Sequence, residues 1–158
     1  MRVIFFLFCF VLFSSCNNKN EGKKIDKSVY QKYINDLTER CIKKGDSDAF
    51  GILISHYGKI NTGRYEAFPL AIIMADKYND DNARVAIYFL MIQMHNEGIF
   101  KEELFFNLKK SQQDFVVSYL IEGAKNNYPA CKAILKKTIL MGYKLKDEDI
   151  QFESLANK

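Results

Sequence analysis

The chain has 158 residues, of which 48% are apolar and 27% charged, and a formal charge of +4. This composition suits one globular domain with a real core and excludes a disordered chain. Two prolines and eight glycines favour helices over a turn-rich β protein, and 19 acids against 23 bases, with no basic run longer than two, exclude a nucleic-acid partner.

Residues 1–15 read as a leader. Arg2 supplies a short positive start, and residues 3–13 form an uninterrupted apolar run of 11. A bilayer-spanning helix needs about 20 residues, so the run predicts a signal peptide rather than a membrane span. Ser14 and Ser15 are small, as a signal peptidase requires. Phe13-Ser14-Ser15-Cys16 resembles the lipobox of bacterial lipoproteins, with Phe13 where leucine is usual. The resemblance implies a diacylglyceryl group on the Cys16 thiol, cleavage before Cys16 and N-acylation of the new terminus. Several acyl chains exceed the single chain at which membrane attachment is only marginal. Asn17 stands where aspartate signals inner-membrane retention in such proteins, so the resemblance implies the outer membrane and a domain facing the periplasm. Residues 16–25 are polar and predict a flexible tether.

Residues 26–145 carry a repeat. "KKGDSDAFGIL", "KYNDDNARVAI" and "AKNNYPACKAI" align on Ala49, Ala83 and Ala130. Four places before each anchor stand Gly45, Asn79 and Asn126, residues that tolerate the left-handed backbone of a helix end. Asp46, Asp80 and Asn127 follow as capping or turn residues. Pro129 sits where the first turn of a helix accepts proline. Each segment therefore reads as helix end, turn and helix start.

Apolar residues flank each turn at helical spacing. Tyr30, Tyr33, Ile34, Leu37 and Cys41 precede the first, and Ala49, Ile52, Leu53 and His56 follow it. Leu70, Ile73 and Met74 precede the second; Ala83, Ala86, Ile87, Leu90, Met91 and Met94 follow. Val117, Leu120, Ile121 and Ala124 precede the third, with Ala130, Ala133 and Ile134 after it. The expected fold is all-α: a solenoid of about three αα-hairpins. Anchor spacings of 34 and 47 leave room in the second interval for a short inserted helix, "KEELFFNLKK", carrying Leu104, Phe105 and Leu108. Residues 146–158 form a tail or partial capping helix, with Asp147 as a cap.

The 34-residue spacing matches a tetratricopeptide unit. "SYLIEGAKNNYPACKAIL", residues 118–135, resembles the Sel-one-like branch of that superfamily. Gly123, Ala124, Ala130 and Leu135 fall where the family places small and apolar packing residues, and Gly142 would end the last helix. The first two copies depart from the pattern, with Asp76 at the place of Gly123 and Lys43 and Lys77 at that of Ala124.

No catalytic or cofactor motif occurs: GxSxG, HExxH, a phosphate loop and GxGxxG are all missing. His56 and His95 are the only histidines and are read as packing or capping residues. The triplet Asp147-Glu148-Asp149 lacks the ligand spacing of a calcium loop, so neither metal nor cofactor is expected. Cys41 and Cys131 belong to no CxxC pair; an oxidising compartment allows a disulfide between them, but they fall in the first and last repeat units, which favours two buried or partly buried thiols. Tyr88, Phe89, Phe68, Met91 and Met94 are read as core. Phe105 and Phe106 are adjacent and cannot both face one core, so the pair is a candidate contact surface.

These readings converge on a non-enzymatic, lipid-anchored repeat module that binds another protein at the cell envelope, as an adaptor or as an immunity protein against a toxin. The alternatives are a passive structural outer-membrane lipoprotein or a periplasmic hydrolase; two dispersed histidines argue against the latter.

Overall fold

The computed structural model describes residues 26–60, 62–146 and 149. The leader, the tether with Cys16, and Asp147 and Glu148 lie outside the described residues. By compactness the chain divides into Met1–Lys32 and Tyr33–Lys158. The second unit holds every described helix except the first six residues of the first one.

The described elements are α1 (Lys27–Lys44), α2 (Ser47–Tyr57), α3 (Gly63–Tyr78), α4 (Asp81–His95), a 3₁₀ helix (Glu102–Asn107), α5 (Lys110–Lys125) and α6 (Pro129–Leu140), with no strand among them. The fold is all-α, and its helices pack in sequence-adjacent pairs. Beyond these pairs, α2 touches α3, and α4 touches α5, α6 and the 3₁₀ helix. Among the described residues no helix is long and apolar enough to cross a membrane.

The first two turns share one construction. Gly45 (φ 65°) and Asn79 (φ 56°) take the left-handed backbone. A Cβ added at Gly45 would run into the Tyr78 ring, so glycine is needed there for space as well as for φ. Asp46 and Asp80 then cap α2 and α4, each accepting the N–H three residues on, from Ala49 and Ala83, at 3.0 Å. That places Ala49 and Ala83 inside the first turn of each second helix, where both are fully buried. Arg40 adds a two-pronged bond to Asp46 Oδ2 at 2.7 and 2.9 Å. The Ala49 N–H and the Arg40 guanidinium together hold the Asp46 carboxyl below the usual carboxylate range.

The third turn differs from its expected form by one residue. Asn127, not Asn126, is left-handed (φ 61°), and Tyr128 is the N-cap. Three places after Tyr128 comes Cys131, so Cys131 takes the position held by Ala49 and Ala83. It is fully buried, whereas Ala130, expected to pack there, is only half-buried. Cys131 lies against Gly123: a Cβ on that glycine would overlap the cysteine side chain, 2.9 Å from its Cβ. Gly123 and Ala124 are buried on α5. Gly142 (φ 110°) ends α6 as the left-handed residue of a Schellman motif, with Tyr143 N–H on Thr138 O at 3.2 Å and Gly142 N–H on Ile139 O at 2.9 Å.

Three stripes are rotated from expectation. On α1, Ile34, Leu37 and Cys41 turn inward, but Tyr30 and Tyr33 are exposed. On α2, Phe50 and Tyr57 are buried in place of Ile52 and His56, because the larger rings displace them from the core side. On α6, Cys131, Leu135 and Thr138 are buried in place of Ala133 and Ile134, as the one-residue shift of the turn requires.

The inserted segment is a 3₁₀ helix, and its repeat of three residues puts Phe105 and Leu108 on one edge, both buried. Phe105 is therefore core and not a contact residue. Its ring stacks on Tyr88 at 5.8 Å and meets Tyr143 edge-on at 5.7 Å.

Two stability measurements check this arrangement. Gly123→Ala should cost about 1–3 kcal/mol by overpacking, despite alanine's better helix propensity, and Cys131→Ala in the same chain should recover part of it. Asp46→Ala should lower the urea midpoint, whereas Asp46→Asn keeps the cap acceptor. Since the Asp46 pKa is lowered, its stabilisation is present at neutral pH and lost on acidification, so Asp46→Asn should flatten the acid limb of the urea-midpoint profile.

Candidate contact surface

On α3, Tyr65, Phe68, Ile72 and Asp76 recur at steps of 3, 4 and 4 and form one stripe beside the buried Ala67, Ala71 and Ala75. Tyr65 is 52% exposed; Phe68 and Ile72 are half-buried. On α5, Gln112, Phe115, Tyr119 and Glu122 form a similar stripe beside Val116, Leu120 and Gly123. Phe115 is 38% exposed.

The two stripes meet. Phe68 and Phe115 have ring centroids 6.5 Å apart, and Phe115 meets Tyr119 edge-on at 5.2 Å. The Tyr119 hydroxyl donates to Asp76 Oδ1 at 2.9 Å. Burial, then the hydrogen bond and charge of Asp76, push the Tyr119 phenol up to about 12. The result is an aromatic strip shared by the first helices of two adjacent hairpins, with carboxylates of Asp76 and Glu122 at one end. Pro69 lies inside α3 on its exposed side and has no N–H to give the Tyr65 carbonyl. Aromatic residues with a polar tip and a rigid ring are the usual anchors of protein contacts.

The strip was not among the residues singled out from the sequence, apart from Phe68, which was read as core. The signal lay in Phe115 and Tyr119, one turn apart and just outside the buried positions 116, 117 and 120. Of the pair proposed as a contact surface, only Phe106 reaches solvent, at 40% exposure, with its ring edge-on to Phe105 at 5.2 Å.

The histidines lie apart. His56 is half-buried, its ring 5.3 Å from that of Tyr57. His95 Nδ1 bonds the Met91 carbonyl at 3.1 Å, and its Nε2 meets the Gln112 amide nitrogen at 2.6 Å. Gln112 Oε1 also accepts the Lys109 N–H at 3.0 Å, so Gln112 links His95 to the first turn of α5. His95 thus braces the start of α5. Among the described residues no three His, Cys, Asp or Glu side chains gather into a metal-binding group. Tyr88, Phe89 and Phe100 pack together, Phe89 and Phe100 at 4.6 Å. Met91 is buried and Met94 half-buried in the same region of α4.

Cys41 and Cys131 are free and buried. Their thiols contact backbone oxygens, Cys41 at Asp46 (3.7 Å) and Cys131 at Asp81 (3.9 Å). Burial, then the neighbouring aspartate, pushes Cys41 up to about 11 and Cys131 up to about 12.

The chain matches no protein-family model, no curated protein and no solved structure.

The buried thiols and phenols set an alkaline limit. Their pKa values are raised on folding, so the stability they contribute is full below the ordinary thiol range and falls as pH rises. The urea midpoint should be level to about pH 9 and decline between about 9 and 12. At about pH 8, peptide mapping after treatment with a thiol reagent should find Cys41 and Cys131 unmodified in the folded chain and modified once urea unfolds it.

Proposed function

We propose that the chain is a non-enzymatic, lipid-anchored helical-repeat module that binds another protein at the bacterial cell envelope, as an adaptor or an immunity protein. The observation that carries this reading is the aromatic strip of Tyr65, Phe68, Phe115 and Tyr119, shared by the first helices of adjacent hairpins. Stacked helix pairs commonly offer such composite surfaces to partners. The lipobox-like Phe13-Ser14-Ser15-Cys16 supports attachment through Cys16, with residues 16–25 as tether. An acylated terminus needs no further membrane span.

The strip brings together rings and a carboxylate, and its one hydroxyl–carboxylate pair, Tyr119 with Asp76, holds a phenol whose pKa is raised rather than lowered. That supports recognition over catalysis. A partner would bring an apolar or aromatic group to the Phe68–Phe115 pair and a donor to Asp76.

Affinity purification from the native envelope, with quantitative mass spectrometry, tests this reading. The wild type should enrich a specific protein, and Tyr65→Ala together with Phe115→Asp should lower its affinity about 30-fold, as loss of a hot spot near 2 kcal/mol implies. Both variants should keep wild-type helicity. Equal recovery by wild type and variants would overturn the assigned surface; recovery of nothing specific would favour a passive structural lipoprotein. In the same strain, palmitate labelling should be present in the wild type and absent in Cys16→Ser.

A further inference from the structure

The outer side of α6 joins an exposed leucine to lysines with no carboxylate in the same stretch of chain. Cys131, Leu135 and Thr138 point into the core. The exposed residues opposite them, Pro129, Ala133, Lys136 and Leu140, recur at steps of 4, 3 and 4 and make one continuous ridge. Leu140 is 76% exposed, more than any other large apolar side chain described. Lysines surround it: residues 129–146 contain Lys132, Lys136, Lys137, Lys144 and Lys146 and no Asp or Glu. Two of these already have acidic partners, Lys137 in an ion pair with Glu102 and Lys146 3.9 Å from Asp114. Lys132 bonds the neutral Asn127 side chain at 3.0 Å. Lys136 and Lys144 are exposed on either side of Leu140 in the chain.

We infer that this face of α6 is a docking surface for an anionic lipid bilayer. The argument is charge complementarity joined to an apolar point. A lysine's ammonium sits at the phosphate level while its methylene stem lies along the acyl boundary, and a leucine between such lysines can enter the headgroup layer. Nucleic acid or an acidic protein patch would satisfy the lysines but would leave Leu140 in water at the centre of the contact. A lipid surface satisfies both. The setting rests on the proposed anchor at Cys16, which would hold this domain at a membrane. The contact itself is written in α6.

The chain has no tryptophan, so Leu140→Trp supplies a single reporter. The protein, isolated in its native processed form, is reconstituted into vesicles of phosphatidylcholine with or without phosphatidylglycerol, each carrying a doxyl-labelled quencher lipid. The emission should be blue-shifted and quenched in the anionic vesicles and nearly unquenched in the zwitterionic ones. Added Lys136→Glu and Lys144→Glu should weaken the contact about tenfold or more, and rising salt should do the same. Ile52→Trp, on the exposed side of α2, is the control and should stay unquenched. Quenching that is absent, or equal in both lipids, would overturn the inference. So would a response to a short DNA duplex or to polyglutamate in a protein that ignores the vesicles. Intact mass on the same sample reports the state of Cys16. An acylated Cys16 without quenching removes this inference alone; quenching with an unmodified Cys16 removes the anchor alone.

Discussion

Arg84 lies in the first turn of α4 with 7% of its surface exposed, and its guanidinium is shared between Asp81 Oδ1 at 2.5 Å and Asn79 Oδ1 at 2.6 Å. Both acceptors belong to the second hairpin's own turn. From the third hairpin, Asn126 donates to the same two oxygens, at 3.0 and 3.4 Å. The arginine stem passes beneath Gly123, where an added Cβ would come within 3.4 Å of Cδ. A charge this buried is costly unless paired and hydrogen-bonded. Its partners are therefore constrained: Asn79 must be left-handed to present its amide, Asp81 must sit at the start of α4, and α5 must offer a residue without a side chain. The junction between the second and third hairpins follows from these demands. Because α4 also touches α6 and the 3₁₀ helix, the position of every later element depends on it.

The hairpins were legible because each turn is written in residue types with narrow uses. A left-handed residue, an aspartate cap and a small residue three places later can be read directly as Gly45-Asp46-Ala49 and Asn79-Asp80-Ala83. The third copy misled because Asn126 and Asn127 both tolerate a positive φ, and alignment on alanine chose the wrong one. The correct register was present in Pro129. A proline at the first helical position holds the residue before it extended, which makes Tyr128 the cap and Cys131 the buried third residue. A thiol is little larger than a methyl group, so cysteine serves there once Gly123 gives it room. The stripes of α2 and α6 were misread for a related reason: with an apolar residue on nearly every side, helical spacing alone does not say which face is widest.

The inserted segment shows a different limit. Two adjacent phenylalanines give no phase, and a period of 3.6 residues does not separate them. The 3₁₀ period of three does, since Phe105 and Leu108 then share an edge, but the choice of 3₁₀ depends on Tyr88 and Tyr143, which lie 17 residues before and 38 after Phe105. The aromatic strip was hidden for the same reason. Phe68 and Phe115 become one surface only because α3 and α5 are brought side by side, and each alone reads as a residue at the margin of a core.

The two proposed surfaces ask for different strengths of binding, and the proposed tether would reconcile them. On the proposed reading, Lys136 and Lys144 contribute about 1 kcal/mol each at an anionic membrane and Leu140 about 2 kcal/mol on leaving water, which for a free protein amounts to a dissociation constant near the millimolar range. A tether of ten residues, as proposed, would have an r.m.s. reach of about 16–19 Å as a random coil. Held by the proposed anchor, the domain would meet its own membrane at an effective concentration that is itself about millimolar, so a contact too weak to recruit the protein would still be substantially occupied. The lysines then orient the domain rather than deliver it. Orientation has a consequence for recognition: a domain that rests on one helix presents its remaining surface in a restricted set of directions. A partner arriving along the membrane would then lose less rotational freedom on engaging the Phe68–Phe115 strip. A small contact area, all that three hairpins can offer, is more effective when part of that entropy has already been removed.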